Sequence, residues 1–456
     1  MAGIGFELSK ILKGSRLSSL LRAYGYSMVI ASGPWLISIV SVLLTGYIAK
    51  PFIKDSAQIT QFQVSITYLI AFSLIFTGHL QLYYTRYIAD RIYETDYSRI
   101  LPNTLGVILF VMGLFAVLLY PVFIYSFRNV SAMFALFFIL TLGIMGSIWI
   151  LNTLLTGIKN YKYVTFSFLF AYLVTIVCTY YLAKYGLKGL MAAYFTGQTL
   201  LFFMLLAAII RAFPSTRLVE FDFLRMNRLY PIIMATGIIY NLAIWVDKFI
   251  FWYHPETGDN VIGPLRNSII YDLPIFLSYL AIAPGMSVMF LRLETDFVDA
   301  YDGYFTAVNS GENLRRIYNR NSELALAARL LLTEVLRLQT IVTIVLLMLS
   351  EKIFDFFQFP KIYLPLFYID LIGTQMQLLF ISILSILFYL NRQMETLALT
   401  SLLLILNIAL SYLSIQLGPF FHGYGFTLSF FIVSVSGILF LNRVMRRINY
   451  ETFMFS

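Results

Sequence analysis

Apolar residues occupy this chain in long unbroken runs, each about as long as a bilayer is thick. Twelve such runs stand out: 24–49, 61–85, 104–126, 131–156, 161–183, 189–210, 231–252, 269–291, 338–358, 364–390, 395–417 and 424–442. A helix crossing the hydrocarbon core needs roughly 20 mostly apolar residues. Backbone groups in lipid must be satisfied within their own segment, so the runs read as helices. A β-barrel would alternate over about ten residues, and these runs do not. His79 and Gln81 interrupt the second run, and the ninth is short and ends in Glu351 and Lys352. Six runs precede the polar segment 211–230 and six follow it. The expectation is an all-α integral membrane protein of about twelve transmembrane helices in two six-helix lobes. The lobes are 24–210 and 231–456, joined by a cytoplasmic linker at 211–230, with a cytoplasmic insertion at 292–337. The halves repeat faintly: Ala31-Ser32-Gly33 matches Ala235-Thr236-Gly237 at an offset of 204, and Ser65-Ile66-Thr67-Tyr68 matches Ser268-Ile269-Ile270-Tyr271 at 203. Parallel repeats of this kind are a transporter architecture, with the substrate path between the halves.

Composition narrows the class. Of 456 residues, 60% are hydrophobic and only 12% charged, against roughly 25% charged in an average soluble protein. An ordinary cytosolic enzyme, a disulfide scaffold and a nucleic-acid binder are excluded, and 17% aromatic content excludes disorder. The single cysteine, Cys178, can form no internal disulfide. The net charge of +9 is largely a topology signal. With alternating spans and a cytoplasmic N-terminus, 23 of the 32 basic residues fall inside, 8 outside, and Lys248 within a span. That bias predicts both termini in the cytoplasm. Residues 1–23 place Ile4, Phe6, Leu8, Ile11 and Leu12 among basic residues. They read as an interfacial amphipathic helix rather than a signal peptide.

The candidate chemistry lies in polar groups that lipid rejects. A charged side chain at mid-span costs roughly 2.5–3.5 kcal/mol on insertion scales, so it faces a cavity or a partner. The seventh run carries Tyr240, Asn241, Trp245, Asp247, Lys248 and Trp252; Asn241, Trp245, Lys248 and Trp252 share one stripe at 100° per residue. The eighth carries Tyr271, Asp272 and Tyr279, and the tenth sets Asp370, Thr374 and Gln377 on one face. The second carries Tyr68 and His79 and ends at Arg86. An aqueous path lined this way suits a sugar, because rings stack on its C–H faces while polar tips bind its hydroxyls. The same residues also suit helix–helix adhesion and snorkelling near span ends. Segment 292–337 holds an acidic cluster, Glu294, Asp296, Asp299 and Asp302, then a helical stripe of Leu324, Ala328, Leu331 and Val335. It is a candidate cytoplasmic mouth or partner-docking helix, and equally an ordinary solvated one.

No catalytic or cofactor motif is present. The sequence has no phosphate-binding glycine loop, no G-x-S-x-G elbow, and too few histidines and cysteines for a metal cluster. Neither a cofactor nor a metal is expected. His79 alone keeps a membrane acyltransferase open, and a scaffold for a synthase is a further alternative.

The opening Met1-Ala2-Gly3-Ile4-Gly5-Phe6-Glu7-Leu8, then Leu21-Arg22-Ala23-Tyr24-Gly25-Tyr26, Ser32-Gly33-Pro34-Trp35 and Thr85-Arg86-Tyr87-Ile88-Ala89-Asp90-Arg91, resemble the PelG family. These are inner-membrane transporters of Pel exopolysaccharide systems within the MOP (multidrug/oligosaccharidyl-lipid/polysaccharide) superfamily. The resemblance implies a MATE-like fold of two six-helix lobes around a cavity. It implies export of a polymer of N-acetylated and free amino sugars that carries positive charge. It also implies a cytoplasmic glycosyltransferase and small membrane proteins as partners, with lipids around the chain and no nucleic acid. A flippase for lipid-linked oligosaccharide and a cation-coupled small-molecule exporter are the alternatives within the superfamily. A pyrophosphate lipid would call for several basic groups in the cavity, and only Lys248 and the marginal Arg86 are offered.

Overall fold

A computed structural model describes residues 17–127, 130–225 and 230–454. Of the expected interfacial helix, residues 1–16 lie outside the described part. The rest opens the first helix, α1 (Leu17–Ala31). Then follow α2 (Gly33–Ala49), α3 (Ala57–Tyr93), α4 (Ile100–Ser126), α5 (Ala132–Gly157), α6 (Tyr161–Leu182), α7 (Leu187–Ala212) and α8 (Pro231–Tyr253). A hairpin, β1 (Asp259–Ile262) and β2 (Leu265–Asn267), precedes α9 (Ile269–Leu280), α10 (Ala283–Arg292) and α11 (Val298–Asn309). The chain ends with α12 (Leu314–Phe357), α13 (Leu364–Tyr389), α14 (Gln393–Gln416) and α15 (Tyr424–Met454).

Among the described residues, ten helices are long and apolar enough to cross a membrane, or twelve when each of two broken pairs counts as one span. All twelve apolar runs coincide with these spans. The chain is a multi-pass membrane protein. The first span breaks at Ser32, where Pro34 withholds a backbone donor at the start of α2. The second broken pair, 269–280 and 283–309, bends by 42°.

The segment expected as an insertion, 292–337, carries the helix that its stripe predicts, but it is continuous with the spans on either side. A π-turn at Leu293–Phe297 carries α10 directly into α11. After a turn at 310–313, α12 runs 44 residues without a break. At 1.5 Å per residue that is about 66 Å, more than twice the hydrocarbon thickness. The stripe around Leu324 and the ninth span are therefore one helix. Leu, Ala, Arg and Glu, all strong helix formers, carry it through the charged stretch.

The described residues form two compact units that interleave in sequence rather than dividing at 211–230. One holds the chain up to Ser32, then Val246–Ile250 and Ile270 onward; the other holds Gly33–Trp245 and Phe251–Ile269. In the first unit α1 packs on α10: Ser27 Oγ donates to the Ser287 carbonyl at 2.7 Å, and Ser287 Oγ to the Tyr24 carbonyl at 2.7 Å. In the second unit α3 and α8 cross at Gly78 and Gly237, where a Cβ on Gly237 would lie 2.1 Å from the Gly78 carbonyl oxygen. Only glycine admits that backbone contact.

The described part of 211–230 folds against the second unit instead of hanging free. Glu220 N donates to the Pro102 carbonyl at 3.1 Å, Arg99 pairs with Asp222 at 2.5 Å, and Tyr83 donates to the Phe223 carbonyl. The hairpin belongs to the second unit too. Its two-residue loop, Gly263-Pro264, places Gly263 at φ +53, which favours glycine. Tyr253 donates to the Pro264 carbonyl at 3.0 Å, and Arg266 N donates to the Tyr68 hydroxyl at 3.2 Å.

Candidate functional site

The most heavily charged buried place in the first unit is built on five residues of α8. Asp247 is 0% and Lys248 1% exposed. Neighbours on a helix do not normally face each other, but the lysine stem bends round so that Nζ meets Asp247 Oδ2 at 2.9 Å and Oδ1 at 3.2 Å. Nζ also donates to the Tyr279 hydroxyl at 2.7 Å and lies 5.0 Å from that ring's centre and 5.2 Å from Phe426's. On the carboxylate side, Tyr271 donates to Asp247 Oδ2 at 2.7 Å, and Asn407 Nδ2 approaches Oδ1 at 3.4 Å. Ser411 in turn donates to Asn407 Oδ1 at 3.0 Å. The pair is thus neutral overall and hydrogen-bonded at both ends, the condition for a buried ion pair to persist.

Asp370 on α13 lies within electrostatic range of Asp247, Lys248, Tyr271 and Tyr279. It is 0% exposed, and neither carboxylate oxygen has a hydrogen-bond partner. A turn further, Thr374 donates to the Leu371 carbonyl at 3.0 Å; beyond it, buried Gln377 leaves its Oε1 unbonded. Gly423, at φ +85, brings its backbone against Asp370: a Cβ there would lie 2.8 Å from Oδ1. With all three groups ionised the cluster carries two negative charges and one positive.

The structure brings Asp247, Lys248, Tyr271, Tyr279 and Asp370 together and adds Asn407, which the sequence reading did not single out. Asp272 is half-buried on α9. The expected stripe along the seventh span divides between the units. Asn241 donates to the Gly237 carbonyl at 2.9 Å at the helix crossing, and Trp245 lies 6.4 Å from Trp252. Trp252 stacks on Tyr68 at 4.7 Å, so the Tyr68 ring face is already covered by a packing partner. Tyr240 is half-buried. His79 is half-buried beside the Gly78 crossing. Arg86 pairs with Asp90 at 3.3 Å and lies 5.6 Å from the Tyr230 ring centre. Tyr230 donates to Asp90 at 2.8 Å, and that bond, ahead of burial, raises the phenol above its usual pKa.

The acidic cluster does not hold as one site. Glu294 is 8% exposed and accepts from Tyr389 at 3.2 Å. Asp296 pairs with Arg292, which also grips Glu334 through Nε at 2.5 Å and Nη2 at 3.0 Å. Asp299 and Asp302 are exposed on α11. The continuing helix points successive side chains in different directions, so the four acids scatter. Among the described residues no group of histidine, cysteine, aspartate and glutamate has the arrangement of a metal site.

A family model described as "PelG: Putative exopolysaccharide Exporter (EPS-E)" matches residues 1–453. Comparison with curated protein sequences yields no match. Solved structures similar to this one are transporters of the MOP superfamily. An outward-facing multidrug resistance MATE family transporter is 12% identical, with a TM-score of 0.69, covering 93% of this chain and 96% of its own. A MATE in the bent conformation is 12% identical, with a TM-score of 0.67 and coverage of 98% and 99%. A MOP superfamily transporter from Pyrococcus furiosus, described with a binding pocket of reverse polarity, is 11% identical, with a TM-score of 0.66 and coverage of 93% and 96%. At such identities the likeness establishes the MATE-like fold. With the family match over nearly the whole length, the chain is a transporter rather than an enzyme, and it belongs to the PelG family of exopolysaccharide exporters.

Proposed function

We propose that this exporter carries a Pel-like polymer of partly N-acetylated amino sugars across the cytoplasmic membrane, with both of its termini in the cytoplasm. The observation that carries the reading is Asp370. The Asp247–Lys248 pair neutralises itself, which leaves Asp370 as the cluster's excess carboxylate, fully buried and without a hydrogen bond. A buried carboxylate of this kind is costly until a cation reaches it. The free amino group of a deacetylated sugar supplies an ammonium, and Tyr271 and Tyr279 add ring faces and hydroxyls beside it. A cytoplasmic glycosyltransferase and small membrane proteins are the proposed partners, with the exposed α11–α12 hairpin as the surface they meet.

The test is deletion of the gene in its host, complementation, and acid hydrolysis of the secreted polymer. Secretion should vanish and return with the gene, and the hydrolysate should contain amino sugars, some from unacetylated units. Secretion that persists without the chain, or a restored polymer of neutral or acidic sugars alone, would overturn the proposal.

A further inference from the structure

A second charged site lies at one end of the first unit, away from the Asp370 cluster. A cleft of about 190 Å³ opens between the first turn of α14 and the last turns of α15, lined by Glu395, Phe440, Arg443, Val444, Arg447 and Glu451. Arg443, Arg447 and Glu451 follow one another at intervals of four, so they share a face of α15. Glu451 is taken up by an ion pair with Arg392. Glu395, Arg443 and Arg447 make no ion pair among the described residues. Two guanidinium groups and one carboxylate therefore line the same cleft uncompensated.

The cleft sits where two hydrophobic runs stop, at 395 on α14 and 442 on α15. On α15 the ridge leading to it is apolar and exposed: Phe431 (52%), Val435 (44%) and Leu439 (63%), each one turn apart, and the next position in that series is Arg443. The ridge offers a track for an acyl chain and ends at the arginines. Guanidinium groups bind phosphate oxygens bidentately, and a carboxylate accepts hydrogen bonds from a primary ammonium. The volume is below the ~300 Å³ of a drug-sized pocket, which suits a small headgroup and not a polysaccharide.

We propose that this cleft is a binding site for a zwitterionic phospholipid with a primary amine, a phosphatidylethanolamine. Its phosphate lies between Arg443 and Arg447, its ammonium meets Glu395, and one acyl chain follows Leu439, Val435 and Phe431. The site is independent of the transported substrate.

The test uses the full-length protein in detergent, titrated with dioleoyl phosphatidylethanolamine, phosphatidylglycerol or phosphatidylcholine. Retention is read by native mass spectrometry and stabilisation by thermal unfolding. Phosphatidylethanolamine should be retained about tenfold more tightly than either other lipid, the size expected for one charge-assisted hydrogen bond. Glu395→Gln should erase its preference over phosphatidylglycerol while leaving phosphatidylglycerol binding intact. The double variant Arg443→Gln/Arg447→Gln should weaken all three lipids, and Arg446→Gln, an exposed arginine outside the cleft, should weaken none. Soluble O-phosphoethanolamine should bind far more weakly, because it lacks the chain that follows the ridge. Phosphatidylglycerol binding equal to or tighter than phosphatidylethanolamine, or selectivity unchanged in Glu395→Gln, would overturn the proposal, as would lipid retention unaffected by loss of both arginines.

Discussion

Replacing Lys248 by methionine keeps the stem and removes the charge, so it tests whether the buried pair acts as a unit. In the parent, Nζ makes two bonds to Asp247 and one to Tyr279. After the change Asp247 stays buried with only Tyr271 at 2.7 Å and a long contact from Asn407 at 3.4 Å. Removing one member of a buried pair costs about 3–5 kcal/mol, because the survivor is an uncompensated charge. The Tyr271 bond remains and is worth about 1.5–3 kcal/mol, so the low end, about 3 kcal/mol, applies here. Asp247→Asn should cost a similar amount by stranding Lys248. The double variant Asp247→Asn/Lys248→Met strands no charge and should cost about 0–2 kcal/mol. The three stabilities, measured by reversible unfolding in mixed micelles, define a double-mutant cycle with a coupling energy of about 4–6 kcal/mol. Additivity of the single changes to within about 0.5 kcal/mol would refute the pairing.

Two other changes separate packing from transport. Asp370→Asn keeps the side-chain shape but removes the carboxyl group, and no hydrogen bond is lost with it. It should change stability by no more than about 1 kcal/mol in the same unfolding assay, while polymer secretion in the host falls at least about tenfold; parental secretion would contradict the role given to Asp370. Gly78→Ala would place a Cβ 2.6 Å from both the Gly237 carbonyl oxygen and Asn241 Nδ2, whereas a Cβ on Gly113 meets nothing within 4 Å. The first should lower stability by about 1–3 kcal/mol and the second should leave it equal or raise it by up to about 1 kcal/mol, and equal melting temperatures for the two would refute the close crossing.

The spans were legible because each is a continuous apolar run, and lipid allows such runs one solution. Their ends were not, since hydropathy marks only the stretch inside the hydrocarbon. The first 24 residues of α12 are charged, so they read as a separate helix outside the apolar run, although a buried stripe of Ile317, Leu324, Leu331 and Val335 and the absence of a breaker carry them straight into the span. The break at Ser32 did have a signal in Gly33-Pro34, and so did the hairpin in Gly263-Pro264. Asp247, Lys248 and Asp370 stood out because charge in an apolar run is rare. Asn407 did not: one amide among apolar residues is unremarkable until its partner, 160 positions away, is known. The division of the seventh span's stripe was invisible for a different reason. Helical periodicity fixes direction about the axis, but it does not say which neighbour stands there.

The sequence adjacency of Asp247 and Lys248 limits what each carboxylate is able to do. Two residues on consecutive positions of one helix travel together through any rigid displacement of that helix. A rigid displacement of that helix therefore does not by itself separate Asp247 from Lys248. Tyr271 and Tyr279, both on α9, bind the two members of the pair. Asp370 has no such tether. It sits on α13, a separate helix, and its favourable electrostatic interaction is with Lys248, an ammonium already committed to Asp247. A small shift between α8 and α13 changes the field at Asp370 while leaving the pair intact. Under the proposed function, Asp370 is thus the member of the cluster whose contact with a cation varies during a transport cycle, while Asp247 and Lys248 hold the place where it varies.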